Sequence, residues 1–137
     1  MAGQAQLTLA VAAGSALGSV ARYLVSIGLP GLAGFPWDTL VVNVLGAFAI
    51  GLYATLAAPA GRWPAGPVRY QLVVTGVCGG FTTFSIFSFE SIGLAQQGAY
   101  GLAAFSVALS AALWLVAVWA GFAVASRLNR AGQAARP

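Results

Sequence analysis

Residues 76–90 read Gly76-Val77-Cys78-Gly79-Gly80-Phe81-Thr82-Thr83-Phe84-Ser85-Ile86-Phe87-Ser88-Phe89-Glu90. Paired glycines followed by paired threonines make a poor continuous helix, because glycine costs backbone entropy and β-branched threonine loses rotamer freedom in a helix. Yet the segment lies inside an apolar stretch from about Val68 to Ala95, longer than the about 20 residues that a helix needs to cross a bilayer. A helix interrupted there exposes carbonyls and amides that lipid cannot satisfy. Such groups must be buried in protein or bind something, and free carbonyls at mid-membrane are natural ligands for a hard cation. Spacing alone leaves two possibilities open, a true break and a mild kink packed against a neighbour.

Three more stretches have the length and apolar character of spans: about Leu7 to Leu29, Thr39 to Ala58 and Ala99 to Ala125. Proline- and glycine-rich turns separate them: Pro30 and Gly31 with the loop Leu32–Trp37, the segment Pro59–Pro67, and Gln96-Gln97-Gly98. The expected architecture is an all-α integral membrane protein, one domain of four transmembrane helices over residues 1–137, with a polar, frayed tail from Ser126. Trp37, Trp63 and Tyr70 fall at span ends, where amphipathic rings favour the headgroup level. Trp114 and Trp119 fall inside the fourth span and read as packing residues. Gly14 and Gly18, Gly76 and Gly80, and Asn43, Ala47 and Gly51 recur at helical spacing, which lets helix backbones approach closely in lipid.

Composition agrees. The chain is 60% hydrophobic and 6% charged, against roughly 25% charged in soluble domains. Six arginines face only Asp38 and Glu90. They form no stripe, so the basic balance reads as juxtamembrane anchoring in a lipid bilayer and not as nucleic-acid binding. Cys78 is the only cysteine and there is no histidine, which argues against a disulfide, a thiolate metal site, a metalloenzyme or a hydrolase. No basic residue precedes the first apolar run, so a cleaved signal peptide is not expected.

A few polar residues stand out within the spans. Asn43 must find partners or water, either as glue between helices or as an N–H donor to an anion. Ser106 and Ser110 are one turn apart and either bond back to carbonyls four residues earlier or line a polar track. Phe84 and Phe87 are i, i+3 neighbours. Either they are core, or their ring edges, which carry partial positive charge, face a small anion. Glu90 is expected near a surface, paired with an arginine, capping a vestibule or solvated. Arg22 ends the first span, where it snorkels or draws anions to a pore mouth.

Three segments together, Gly18–Tyr23, Thr39–Phe48 and Gly79–Glu90, resemble the CrcB/Fluc family of fluoride channels. The third carries most of the likeness, a GG-x-TTFS-x-F run after an apolar half-helix. The resemblance implies an antiparallel, dual-topology dimer of four-helix subunits with two pores in a bacterial inner membrane, exporting cytoplasmic fluoride passively. It implies that Asn43 is the pore asparagine, that Phe84 and Phe87 line the fluoride path with Thr83 and Ser85 beside them, and that Ser110 belongs to a polar track. It further implies that backbone carbonyls of Gly79 and Thr82 from both subunits hold a central sodium ion (Na+), and that Arg22 and Glu90 lie near pore ends. Ser106 stands where some relatives carry tyrosine, and Trp114 where a second hydroxyl is sometimes found.

An antiparallel homodimer calls for a weak orientation signal. Arg62, Arg69, Arg127, Arg130 and Arg136 nevertheless share one side and only Arg22 lies towards the other, so an oppositely oriented homologue is the alternative partner. Two rival functions remain at this level. A small proton-coupled multidrug exporter, also an antiparallel dimer, needs a carboxylate deep in the first span, which has none. A non-transporting membrane subunit would use its polar residues only as glue.

Overall fold

The computed structural model describes residues 3–29 and 34–134. The expected turn at Pro30 and Gly31, the start of the Leu32–Trp37 loop, and Arg136 lie outside them. Four apolar rods have the length and hydropathy of membrane spans. The first is α1 (Gln4–Gly28) and the second α2 (Trp37–Leu56). The third, Pro67–Gln96, runs through α3 (Pro67–Tyr70), a π-helical segment (Gln71–Cys78), α4 (Gly79–Phe81) and α5 (Ser85–Gln96). The fourth is α6 (Tyr100–Ala134). There is no strand among the described residues.

Local chemistry sets several ends. Gly3 N–H donates to Gln6 Oε1 at 3.2 Å, closing the first turn of α1. Pro67 opens α3 as the first helical residue, where its missing N–H costs nothing. Gly98, at φ 79°, makes the left-handed turn between α5 and α6 that a side chain would resist. The chain after α2 folds back onto that helix, with Trp63 N–H donating to the Leu56 carbonyl and Ala65 N–H to the Ala57 carbonyl, each at 3.0 Å.

The expected span limits hold to within a few residues except at the C-terminus. The frayed tail expected from Ser126 is instead a continuation of α6 to Ala134. Asn129 explains it. Its Nδ2 donates to the Thr55 carbonyl at 3.2 Å and its Oδ1 accepts from Arg62 N–H at 2.8 Å, so the last turns are tied to α2 and the following loop.

The burial pattern is inverted relative to a soluble protein. Large apolar side chains such as Leu9 (69% exposed) and Leu115 (70%) point outward, while Asn43, Ser106 and Ser110 are buried. Trp119, expected as packing, is 67% exposed. It faces outward because small residues hold the inner face of α6: Ala103, Ala117, Gly121 and Ala125 are all buried.

Small residues bring the rods together in two pairs. α1 packs on the third rod where the two expected glycine pairs meet. A Cβ on Gly14 would lie 2.8 Å from Gly76 Cα, a Cβ on Gly18 would lie 2.7 Å from Phe81 N, and a Cβ on Gly80 would lie 2.8 Å from Ser15 Cα. α2 packs on α6 in the same way, with Gly51 against the Val118 carbonyl and Gly121 against the Phe48 carbonyl. The opposing backbones leave no room for a methyl group at these crossings.

Gly14→Val should therefore separate α1 from the third rod and cost about 1–3 kcal/mol or more, as overpacking does. Gly93→Ala, where nothing lies within 4 Å of the added carbon, should be neutral or stabilising by up to ~1 kcal/mol. Unfolding by SDS titration in mixed micelles, followed by tryptophan fluorescence, measures both. Equal stability of the two variants would contradict the packing described.

Candidate functional site

The third rod leaves helical geometry between α4 and α5. Thr82 ends α4 with both its N–H and its Oγ1 donating to the Cys78 carbonyl at 2.9 Å, and then turns extended at φ −76° and ψ 159°. Its neighbour Thr83 meets Asn43 of α2 in a two-way contact. Asn43 Nδ2 donates to the Thr83 carbonyl at 2.8 Å, and Thr83 N–H donates to Asn43 Oδ1 at 2.7 Å. Both partners are satisfied only in this amide orientation, since a backbone N–H can only donate and a carbonyl can only accept. Asn43 is 5% exposed and Thr83 half-buried, so the bond exchange is partly sheltered from solvent.

That contact has two consequences. Thr83 Oγ1 is set to accept from Ile86 N–H at 3.2 Å, serving one of the free donors at the start of α5. And Thr83 N–H, which an unbroken α-helix would direct to the Gly79 carbonyl, goes to Asn43 instead. Among the described residues, no hydrogen bond reaches the carbonyls of Gly79 or Thr82. Gly79 is exposed and Thr82 half-buried on this single chain.

Asn43, Ala47, Ile50, Thr82, Thr83, Phe84 and Trp114 line a cleft of about 230 Å³ beside the interruption. The α2 residues reach it because Asn43, Ala47 and Ile50 follow the i, i+4, i+7 rule of one helix face. Phe84 lines the cleft and is 70% exposed, whereas Phe87 is 7% exposed. Phe84 is the N-cap of α5 with helical backbone (φ −96°, ψ −29°) and its carbonyl accepts from Ser88 N–H at 2.9 Å, so the i, i+3 spacing still sets the two side by side although their exposures differ. Their rings still approach to 5.7 Å between centroids. Phe87 also meets Trp114 edge-on at 4.8 Å and 71°, so Trp114 is both a packing residue, as expected, and a wall of the cleft. Ser85 joins through its hydroxyl, 3.4 Å from that of Thr83.

The remaining expected residues fall elsewhere. Ser110 is buried on α6, one turn before Trp114, and is not part of the cleft wall. Ser106 is 1% exposed and its hydroxyl has no partner among the described residues. It does not bond back along the helix as Thr55, Ser88 and Ser91 do, each at 2.8 Å. Among the described residues Glu90 pairs with no arginine: its Oε1 accepts from Thr39 Oγ1 at 3.0 Å, and its buried Oε2 has no partner there. Glu90 lines a second cleft of about 430 Å³ with Asp38, Phe35 and Phe89. Arg22 does not end its helix. α1 runs on to Gly28, and Arg22 Nε donates to the Gly80 carbonyl at 3.3 Å, with Ser19 Oγ on the same oxygen at 3.4 Å.

Thr39 was missed by sequence reasoning. It stands one turn before Asn43 on the same face of α2, so a polar stripe Thr39-Asn43 was the available signal. Asn129 was missed as well, and nothing local marks it.

Four apolar rods, with a cleft between α2, the third rod and Trp114 of α6 at the point where α4 and α5 part, define a multi-pass helical membrane protein. The chain belongs to the family described as CrcB-like protein, Camphor Resistance (CrcB), whose profile matches residues 9–122. Among its relatives is a protein of Rhodopseudomonas palustris named fluoride-specific ion channel FluC 1, 50% identical over 129 residues that cover 93% of this chain and 92% of the relative. A protein of the same name from Bradyrhizobium diazoefficiens is 49% identical over 88% of this chain and 84% of its own length. One of Opitutus terrae, named fluoride-specific ion channel FluC, is 50% identical over 90% of this chain and 95% of its own.

Replacing Asn43 with Leu should leave two buried backbone groups of Thr83 unpaired, at roughly 1–3 kcal/mol each. Ser88→Ala, which removes a hydroxyl that only bonds back along its own helix, should change stability by less than about 1 kcal/mol. SDS unfolding midpoints compare them, and an Asn43→Leu protein as stable as Ser88→Ala would show that the contact with Thr83 contributes nothing.

Proposed function

We propose that this chain is a fluoride-selective channel that lets the ion leave the cytoplasm passively, and so confers fluoride resistance. It works as an antiparallel dimer with two pores and one structural sodium ion between the subunits. The observation that carries the reading is the cleft at the interruption of the third rod, where an asparagine amide, a threonine and an exposed phenylalanine meet. The names of the relatives add the ion: they are called fluoride-specific channels.

Fluoride is small and holds its water tightly, so a pore that passes it must offer donors and partial positive charge in place of that water. Asn43 spends one N–H on the Thr83 carbonyl, and its amide has a second. The ring edges of Phe84 and Phe87 carry partial positive charge without a full charge that would trap the ion. The N-terminus of α5, which follows Phe84 directly, adds the positive end of a helix dipole. Weak, repeated contacts suit conduction, which needs binding good enough to enter and poor enough to leave. A cytoplasm-negative potential then drives an anion outward by about 2.3 kcal/mol per 100 mV. Thr83, Ser85 and Ser110 are the hydroxyls of this path, Glu90 stands towards one end, and Arg22, expected at a pore end, holds the Gly80 carbonyl beside the interruption.

Two features favour the dimer. The interruption falls near the middle of the Pro67–Gln96 span, so in this reading the third helix is broken at mid-membrane. There the carbonyls of Gly79 and Thr82 need partners that the described residues do not provide. Two antiparallel copies supply each carbonyl twice, an all-oxygen set suited to a hard cation. Na+ held there would neutralise the carbonyl dipoles. The cluster of Arg62, Arg69, Arg127 and Arg130 on one side leaves an oppositely oriented homologue as the other partner to test.

Phe84→Ile and Phe87→Ile keep apolar bulk and remove the positive ring edge. In liposomes monitored with a fluoride electrode, the wild type should release fluoride and each variant should do so at least tenfold more slowly, a change of about 1.4 kcal/mol in barrier. Phe105→Ile, on α6 and outside the cleft, should change little. Asn43→Asp should also block release, because a carboxylate offers no N–H and repels the anion. Wild-type rates through both cleft variants would return the phenylalanines to packing, and no fluoride release from folded wild-type protein would overturn the function.

A further inference from the structure

The charges of this chain are segregated. Its only side-chain carboxylates, Asp38 and Glu90, line one cleft. Arg62 and Arg69 flank the other end of α2, about 30 Å away along a 20-residue helix. These arginines therefore have no acidic side chain of their own chain to pair with.

At that basic end lies a cleft of about 460 Å³ between α2 and the third rod, walled by Tyr53, Leu56, Trp63, Arg69, Leu72 and Val73. Its depth is apolar and its rim is not. Arg69 is exposed, with one guanidinium nitrogen donating to the carbonyls of Trp63 at 3.3 Å and Pro64 at 3.0 Å. Those two bonds fix the group and leave three of its five N–H donors free. Trp63 is 58% exposed beside it, with the Arg62 guanidinium 5.9 Å from its ring centroid. Tyr53, one turn inside the end of α2, has a hydroxyl that is buried without a partner among the described residues.

We propose that this cleft binds one anionic phospholipid. Its phosphate sits on Arg69 at the rim, an ester carbonyl accepts from the Tyr53 hydroxyl one helical turn deeper, and an acyl chain lies against Leu56, Leu72 and Val73. The cation stands at the rim, and the lone hydroxyl lies one helical turn inside among the aliphatic walls, which matches a headgroup phosphate above the ester and acyl part of a phospholipid. Trp63 occupies the headgroup level that such rings favour. The guanidinium, already held in place by the loop carbonyls, offers charge-assisted bonds to phosphate oxygens. A zwitterionic lipid presents the same phosphate but brings a cation towards Arg69 and Arg62, so net anionic lipids are preferred.

Native mass spectrometry of the protein released from micelles containing equal phosphatidylglycerol and phosphatidylcholine tests this. The wild type should retain phosphatidylglycerol in preference, at one lipid per chain. Arg69→Gln should reduce that preference about tenfold, the loss of one charge-assisted contact. Val73→Trp, which fills the cleft and leaves Arg69 untouched, should reduce retention of both lipids. It serves as the second probe should Arg69→Gln disturb the loop. Arg127→Gln, outside the cleft, should bind as the wild type does. Equal retention of the two lipids by wild type, retention unchanged in both cleft variants, or a second copy of the chain covering the cleft in a cross-linked dimer would each overturn the proposal. None of these readouts involves fluoride, so they stand or fall apart from the channel reading.

Discussion

The exchange of hydrogen bonds between Asn43 and Thr83 is the contact on which the rest of the arrangement depends. A side-chain amide carries a donor and an acceptor in the geometry of a peptide group, so it can pair with a backbone peptide much as a neighbouring strand would. Thr83 has lost its helical partners because the chain has turned extended at Thr82. In lipid those lost bonds would cost several kcal/mol per group. Asn43 replaces two of them at 2.7 and 2.8 Å. It thereby lets a helix stop and restart inside an apolar protein, and it locks α2 to the place where that happens.

Everything around the contact serves to bring α2 and the third rod to that meeting. α1 and the third rod interlock through Gly14, Gly18, Gly76 and Gly80, and α2 and α6 through Gly51 and Gly121. Each pair is held by close backbone approach, as expected where lipid supplies no hydrophobic drive between helices. The interruption joins the two pairs and the cleft opens beside it. The π-helical segment Gln71–Cys78 lies in the same rod, separated from the interruption only by the short α4. Wide turns of this kind often accompany functional sites, since they change which carbonyls and side chains face a neighbour. Arg22 and Ser19 bond the Gly80 carbonyl, which steadies the last turn before the chain leaves the helix.

Much of this was legible before any coordinates. The four spans followed from apolar length and from proline and glycine punctuation, and the glycine pairs followed from their spacing of four. The poor helix chemistry around Gly79 to Thr83 marked the stretch where α4 and α5 part, and Asn43 stood out as a polar side chain that lipid could not serve. What the residues could not show was who pairs with whom. Helical spacing placed Phe84 and Phe87 side by side, but it could not show that one ring would be exposed and the other buried against Trp114. Glu90 read as paired with an arginine, capping a vestibule or solvated, whereas its donor is Thr39, 51 residues away in sequence. The polar tail after Ser126 looked frayed because Asn129 makes its bonds across the fold, to Thr55 and Arg62, and local propensity carries no trace of such partners.

The separation of charge along α2 gives the molecule two unlike ends, an acidic cleft with Asp38 and Glu90 and a basic rim with Arg62 and Arg69. Two antiparallel copies would present one of each at either membrane face, and so make the faces alike. The cleft between these ends has an asparagine amide and a phenylalanine but no charged side chain in its wall, which suits the proposed passage of a small, hard anion. The most direct test is to load liposomes containing the pure protein with equal fluoride and chloride and follow both ions after opening a potassium path with valinomycin. The account predicts that fluoride leaves while chloride stays inside. Parallel loss of the two ions, or retention of both by folded protein, would contradict it.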